Sequence, residues 1–337
     1  MKFPAERKKM IMEYILTKIS ESSNGLSGSV SQAFGIGTST VHLYLKELID
    51  KGVICKSGRD KYSLIGETNT YLFTRSKGEI ISEDEIYKKC LYPVIKNFSE
   101  NVRQIWEYSF TEMVNNVVDH SDAEYLKIIV TQNVIRTNVE IVDDGIGIFR
   151  KIQQHFGYTE IDDAIVELSK GKLTTDSRNH SGEGIFFTSR VMDSFIIYSD
   201  KKMFSFNKYM EENLENADDF VSGTMVVLSL SNNSHKQLSD IFREYAESDN
   251  GFFKTRIPID NIFDTAPISR SQAKRICSRL DQFKEVEFDF ANVEFMGQGF
   301  AHEIFYVFAN KNPQVKLVPI NMNESVENMY NHVKTNQ

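Results

Sequence analysis

The chain has 337 residues, 41% of them hydrophobic and 26% charged, which suits a soluble globular protein with two or three ordinary cores. No run of about 18 apolar residues indicates a membrane span, and the opening MKFPAERKKM lacks the apolar centre of a secretion signal. Residues 1–66 carry ten Lys and Arg against six Asp and Glu (+4), whereas the remainder carries 29 against 41 (−12). A small basic unit on an acidic body suggests contact with a polyanion. Cys55, Cys90 and Cys277 lack metal-ligand spacing and are expected to stay reduced, as in a cytoplasm.

The first segment, residues 8–19, places Met10, Tyr14, Ile15 and Ile19 at helical spacing. A short helix from about Ser29, a glycine-containing turn and a further helix follow. Thr38 is the expected N-cap of that helix, and Val41, Leu45 and Leu48 form its core stripe. Residues 53–64 then read as two short strands around a Ser-Gly turn, bearing Lys56, Arg59 and Lys61. Three helices and a basic hairpin resemble a winged helix-turn-helix. The resemblance implies double-stranded DNA as a partner, with the third helix in the major groove and the wing on phosphates. Ser39, Thr40, His42 and Lys46 point off the core stripe and are the expected base-side residues. Lys56, Arg59 and Lys61 are the expected backbone contacts. Winged helices also serve as dimerisation or protein-docking modules, and that alternative stands beside the first.

Residues 66–90 read as a connecting strand and a helix start, with a capping box at Ser82 and Glu85. The next helix carries FTEMVNNVVDHS, residues 110–121, in which Glu112, Asn116 and His120 recur every four residues and share a stripe. A carboxylate, a carboxamide and an imidazole suit a phosphate-handling site as water-orienter, neutral metal ligand and polar flank. A solvated helix face would show the same pattern. Strands at 125–131 and 135–142 lead into VDDGIGIF, where Asp143 ends a strand ahead of Gly145 and Gly147. A buried carboxylate there can accept from an exocyclic amine, and the glycines let backbone approach a flat ring. Farther on, Gly182, Glu183, Gly184 and Ile185 open a helix whose N-terminal N–H groups suit phosphate oxygens, and Gly223-Thr224 opens a strand.

In this order the motifs resemble the GHKL, or Bergerat-fold, ATP-binding domains of gyrase-type ATPases, Hsp90, MutL, sensor histidine kinases and anti-sigma-factor kinases. Glu112 and Asn116 match the N box, with His120 beside it. Asp143, Gly145 and Gly147 match the first glycine box, and Gly182 and Gly184 the second. Thr224 falls in the final strand signature. The resemblance implies ATP and Mg²⁺ as cofactors, with Asn116 on the metal, Asp143 on adenine and Glu112 orienting the attacking water. It also implies a phosphate cradle formed by the backbone from Gly182 through Glu183 and Gly184 to Ile185. Residues 150–181 would form a mobile lid offering Lys170, Lys172 and Arg178 to phosphate, or else a solvated loop. No phosphoacceptor-histidine motif, receiver domain or transducer domain accompanies these motifs.

After a polar stretch and a helical linker at 233–250, strands and helices alternate to the end of the chain, implying a small α/β sheet. This third resembles STAS-like domains through FDFANVEFMGQGFAHEIF, with Phe300, Ile304 and Phe308 on one helical stripe. Gln298 stands before Gly299, where phosphorylatable relatives carry Ser. His302 and Glu303 are expected as solvent-facing polar residues. The expected chain is therefore multidomain α/β. A winged helix (1–66) precedes a central α/β sandwich (67–232), the linker and a STAS-like domain (251–337) that binds a protein partner. Three functional readings follow: an ATP-controlled DNA-binding regulator, a homodimer if it binds two-fold sites; a serine/threonine kinase of the anti-sigma type; or an ATP-switched scaffold that does not bind DNA.

Overall fold

The computed structural model describes residues 5–22, 24–58, 60–78, 80, 82–172, 183–205, 222–247, 251–262 and 266–335. Three helices open the chain: α1 (Ala5–Glu21), α2 (Leu26–Phe34) and α3 (Thr38–Asp50). A hairpin of β1 (Ile54–Gly58) and β2 (Lys61–Leu64) closes this unit. Its core gathers Ile11, Ile15, Leu16 and Ile19 from α1 with Val41, Leu45 and Leu48 from α3. Ile15 and Ile19 are buried as expected and Tyr14 packs beside them, but Ile11 takes the place expected of Met10, which is 59% exposed. Gly37, not Thr38, is the N-cap of α3, and it makes no side-chain cap.

The strand expected as a connector, β3 (Gly66–Thr74), instead forms the edge of a six-stranded antiparallel sheet ordered β3-β4-β5-β8-β6-β7. Its other strands are β4 (Tyr125–Asn133), β5 (Arg136–Asp143), β6 (Ser194–Ser199), β7 (Lys202–Ser205) and β8 (Thr224–Ser231). Helices α4 (Glu83–Cys90), α5 (Tyr92–Ile95) and α6 (Glu100–His120) share a core with this sheet. Ser82 caps α4 by accepting from the Glu85 N–H. Helix α6 runs 21 residues without Gly or Pro, and Val102, Ile105, Trp106, Phe110, Met113 and Val117 recur three or four apart on its buried side. Each such side chain contributes about 1.5–3 kcal/mol on full burial, so this face orients the helix firmly.

Residues 150–170, expected within a mobile lid, belong to α7 (Ile148–Phe156) and α8 (Ile161–Lys170) and the turn between them, ahead of α9 (Gly184–Val191). Residues 164–170 are all buried. The cause is the C-terminal unit, which covers the second face of α8. That unit comprises α10 (Leu238–Tyr245), the β9 (Ala246–Glu247) and β10 (Gly251–Phe252) hairpin, β11 (Lys254–Pro258) and α11 (Ile259–Ile262). It continues with α12 (Arg270–Cys277), β12 (Glu285–Asp289) and α13 (Gln298–His302). The last elements are α14 (Ala309–Lys311), β13 (Lys316–Ile320) and α15 (Glu324–Thr335). Strands β11, β12 and β13 form a parallel sheet. Between α13 and α14 the helix widens into a π-helical turn, Glu303–Phe308, that buries Phe305 with Ile304 and Phe308. Glu303 is buried as well, contrary to the solvent-facing expectation.

Val166, Phe186 and Phe187 belong to the core of the C-terminal unit although they lie far upstream in the chain. Lys170 is 0% exposed, ion-paired with Glu167, and donates to the carbonyls of Ser278 (2.7 Å) and Arg275 (3.1 Å). Its own carbonyl accepts from Thr255 Oγ1 (2.6 Å). At Gly171, with φ +76°, a β-carbon would strike the rings of Phe252 and Phe186. Replacing Lys170 with Met leaves the buried Glu167 carboxylate without its ammonium partner, with Arg279 at 3.4 Å and the Tyr158 hydroxyl beside it, a loss of about 3 kcal/mol by analogy with broken buried pairs. Urea denaturation should register that loss, whereas Lys316→Met, at an exposed pair with Glu285, should shift stability by less than about 1 kcal/mol.

Candidate functional site

Strand β5 alternates in burial, with Thr137, Val139, Ile141 and Asp143 all facing inward. Asp143 is thus a carboxylate in the last place of an apolar row, 5% exposed. Across the sheet it pairs with Thr224 at the start of β8. Burial pushes the Asp143 carboxyl up from 3.8 to about 6, opposed by hydrogen bonds from the backbone of Gly145 and Thr224. The Gly145 N–H donates to Asp143 Oδ1 at 2.8 Å.

Around this carboxyl the backbone closes in. A β-carbon at Gly145 would collide with Ser121, beyond the end of α6, and one at Gly223 (φ +86°) would collide with the carbonyl of Asp143. Gly147, at φ +89°, faces Ser199 and Asp200, and Asp200 pairs with Arg150 at 2.7 Å. Thr224 Oγ1 accepts from the Ile148 N–H at 3.0 Å, so the start of α7 is tied to β8. The Lys151 ammonium donates to the His120 carbonyl and fastens α7 to the end of α6.

Nearer the middle of α6, the Glu112 carboxylate lies against Gly184, so closely that a β-carbon at Gly184 would overlap it. Gly184 begins α9, and its N-cap Glu183 is half-buried nearby. Tyr108, one turn before Glu112, has its phenol pushed above the usual range by burial, then by the charges of Glu112 and Glu183. Asn116, half-buried between the two ends, has its Nδ2 4.0 Å from Met113 Sδ and no closer hydrogen-bond partner among the described residues. The rise of α6 separates Glu112 from Ser121 by about 13 Å along the helix axis. Glu112 and Gly184 thus meet near the middle of α6, while Asp143, Gly145, Gly147 and Thr224 gather beyond its C-terminal end, with Asn116 and His120 on the helix between. Ile185 packs its side chain against the central core, and Gly182 lies outside the described residues, as does Arg178.

The expected lid cations go elsewhere. Lys170 is buried under the C-terminal unit, and Lys172 Nζ donates to the Gln282 carbonyl at 3.3 Å while lying 5.1 Å from the Phe283 ring centre. Apart from Glu167, the hydrogen-bond acceptors of these two ammonium groups lie more than 100 residues downstream, beyond any local pattern. Arg190 on α9 faces the same way. It donates to the Arg256 carbonyl at 2.6 Å and lies over the Phe186 ring, with burial lowering its pKa to about 10.

On the N-terminal unit, Ser39, His42 and Lys46 are exposed on α3, Thr40 is half-buried, and Lys56 and Lys61 are exposed on the hairpin. Arg59 lies outside the described residues. Leu43, 66% exposed on the same face, was missed because only its place off the Val41–Leu45–Leu48 stripe signals it.

Residues 272–327 match the family described as a STAS-like domain of unknown function (DUF4325), and a STAS-like domain therefore forms the C-terminal part of this mixed α/β chain. No curated protein matches the chain. No helix among the described residues is long and apolar enough to cross a membrane.

The raised Asp143 carboxyl has a definite pH signature. Its stabilising contribution is present below 3.8 and is lost as pH rises through about 6, where a buried charge must form. Asp143→Asn keeps an acceptor for Gly145 without that charge. It should be on the order of 1–3 kcal/mol more stable than the native chain at pH 8, with the gain vanishing toward pH 4, measured by urea denaturation.

Proposed function

We propose that the chain is an ATP-binding regulator in which a GHKL-type central domain controls a winged-helix DNA-binding unit, and in which the STAS-like domain receives a protein partner. The observation that carries this reading is the meeting of Asp143, Gly145, Gly147 and Thr224 at one end of α6 with Glu112 against Gly184 nearer its middle. In this reading Asp143 accepts from the adenine amine, and the glycine turns admit the flat base against backbone. Asn116, whose amide has no oxygen partner among the described residues, would hold Mg²⁺ through its carbonyl oxygen. The metal would neutralise phosphate charge, and Glu112 would orient the attacking water.

A neutral Asp143 side chain at low pH loses acceptor strength, so affinity for the adenine amine should fall below about pH 6. Two helices carry the signal outward. Helix α9 opens at the phosphate end with Gly184 and then buries Phe186 and Phe187 in the C-terminal core. Helix α8 is fastened to that same core through Lys170. A partner bound to the STAS-like domain that favours one setting of these helices would shift nucleotide affinity, and nucleotide would shift partner affinity by the same factor.

The anti-sigma-kinase reading draws on the STAS-like match, since phosphorylatable STAS proteins are substrates of such kinases. Gln298 begins α13 where those substrates carry Ser, so the acceptor would belong to a separate protein.

Turnover of γ-labelled ATP with Mg²⁺ distinguishes these readings. The native chain should release phosphate slowly. Glu112→Ala should retain nucleotide but lose about 10²-fold or more in turnover, and Asn116→Ala should lose Mg²⁺-dependent binding. No nucleotide binding by the native chain would sink the proposal, and label appearing on an added protein in place of free phosphate would favour the kinase.

A further inference from the structure

Two edges bound the six-stranded sheet, and they are built differently. Strand β7 is short, Lys202–Ser205, and is entered through Lys201 and Lys202, charged residues of the kind that discourage strand addition. Strand β3 is nine residues long and pairs with β4 from Gly66↔Asn133 to Thr74↔Tyr125 without a register shift. It contains no Lys, Arg or Pro, and Glu67 is its only charge. Residues 66–70 are exposed, Leu72 is 61% exposed, and among the described residues no strand pairs with its outer side.

The register fixes which backbone groups face outward. The Arg75 N–H donates to the Glu124 carbonyl at 2.9 Å, continuing the β3–β4 ladder by one hydrogen-bonded pair. Because such pairs alternate in antiparallel strands, the N–H and C=O of Thr68, Thr70 and Leu72 point away from β4. A side-chain contact supports this assignment: Thr68 Oγ1 lies 3.0 Å from Thr131 Oγ1, as expected for a close pair without backbone bonds.

We infer that β3 is a self-pairing edge, along which two copies of this chain join their sheets antiparallel about a two-fold axis at Thr70. Thr70 then exchanges both backbone bonds with its own symmetry mate, an isologous contact that satisfies both copies equally. Glu67 falls opposite Phe73 of the second copy, so the strand's single charge never meets itself. Leu72 falls opposite Thr68 and covers exposed apolar surface on the open face of the sheet. The sheet edge carries this inference by itself, independently of the functional proposal. One consequence bears on that proposal: β3 follows the basic hairpin directly, after Leu64 and Ile65. Pairing at Thr70 sets the two Gly66 residues eight strand steps apart, or about 27 Å, with an N-terminal unit beyond each. That is close to the spacing of about 34 Å between successive major-groove faces of DNA, a match that rests on the DNA-binding reading.

Sedimentation equilibrium on the full chain, with oxidative cross-linking of single added cysteines in a background lacking the exposed Cys55 and the half-buried Cys277 (both changed to Ser), tests the pairing without DNA. The native chain should be a dimer in the micromolar range, and Thr70→Cys should cross-link to itself whereas Lys202→Cys on β7 should not. Thr70→Pro removes only an outward N–H and should yield a monomer with native far-UV dichroism. Should that variant fail to fold, Leu72→Lys places like charges along the same edge and should weaken the dimer at least tenfold. A native chain that stays monomeric across that range, or a dimer unaffected by Leu72→Lys and uncross-linked at Thr70→Cys, overturns the inference.

Discussion

Three backbone approaches that leave no room for a β-carbon set the geometry on which the rest of the central unit depends. Gly145 lies against Ser121, Gly223 against the carbonyl of Asp143, and Gly184 against the Glu112 carboxylate. The first and third draw a loop and a helix start toward α6, and the second closes the start of β8 onto the end of β5. The stability of this arrangement comes from the large apolar face of α6 and the sheet beneath it. Asp143 opposes it. Its buried carboxyl is raised to about 6, so ionising it at neutral pH works against the fold, and a carboxyl perturbed in this way is a candidate functional group.

This part of the central unit is mechanically continuous with the STAS-like domain. Helix α8 buries both polar and apolar side chains, because two units cover it from opposite sides. Lys170 is accommodated there only through Glu167 and two carbonyls from the C-terminal unit. Such a buried ion pair adds little net stability over an apolar contact, but it is highly selective for one docking geometry. Lys172 and Arg190 extend the same joint on either side of residues 173–182. The segment between α8 and α9 is therefore entered and left through helices held by the STAS-like domain, which gives that domain physical leverage over Gly184 and Glu112.

Local periodicity made much of this legible. The strand ending at Asp143 ahead of Gly145 and Gly147 pointed to a buried carboxylate, the four-residue recurrence of Glu112, Asn116 and His120 to one stripe of a helix, and Val41, Leu45 and Leu48 to the buried face of α3. Long-range pairing was not legible. Nothing near Lys170 in sequence announces Ser278, and a helix with Glu167, Ser169 and Lys170 on its second face reads as solvated until a second unit covers it. Met10 was favoured over Ile11 because both fit a helical period, and only packing against α2 and α3 selects between neighbouring stripes. Glu303 departs from the expectation at the first residue of a π-helical turn, within which Phe305 is buried in addition to the expected Ile304 and Phe308.

The central claim is that nucleotide at the α6 surface governs the basic N-terminal unit. Its most direct test is the affinity of the native chain for duplex DNA across a salt series, with and without Mg-ATP, beside Asp143→Asn. The account predicts binding that weakens steeply with salt, differs between the nucleotide-free and nucleotide-bound native chain, and ignores nucleotide in the variant. Identical DNA affinity with and without Mg-ATP, in a native chain shown to bind the nucleotide, would contradict it.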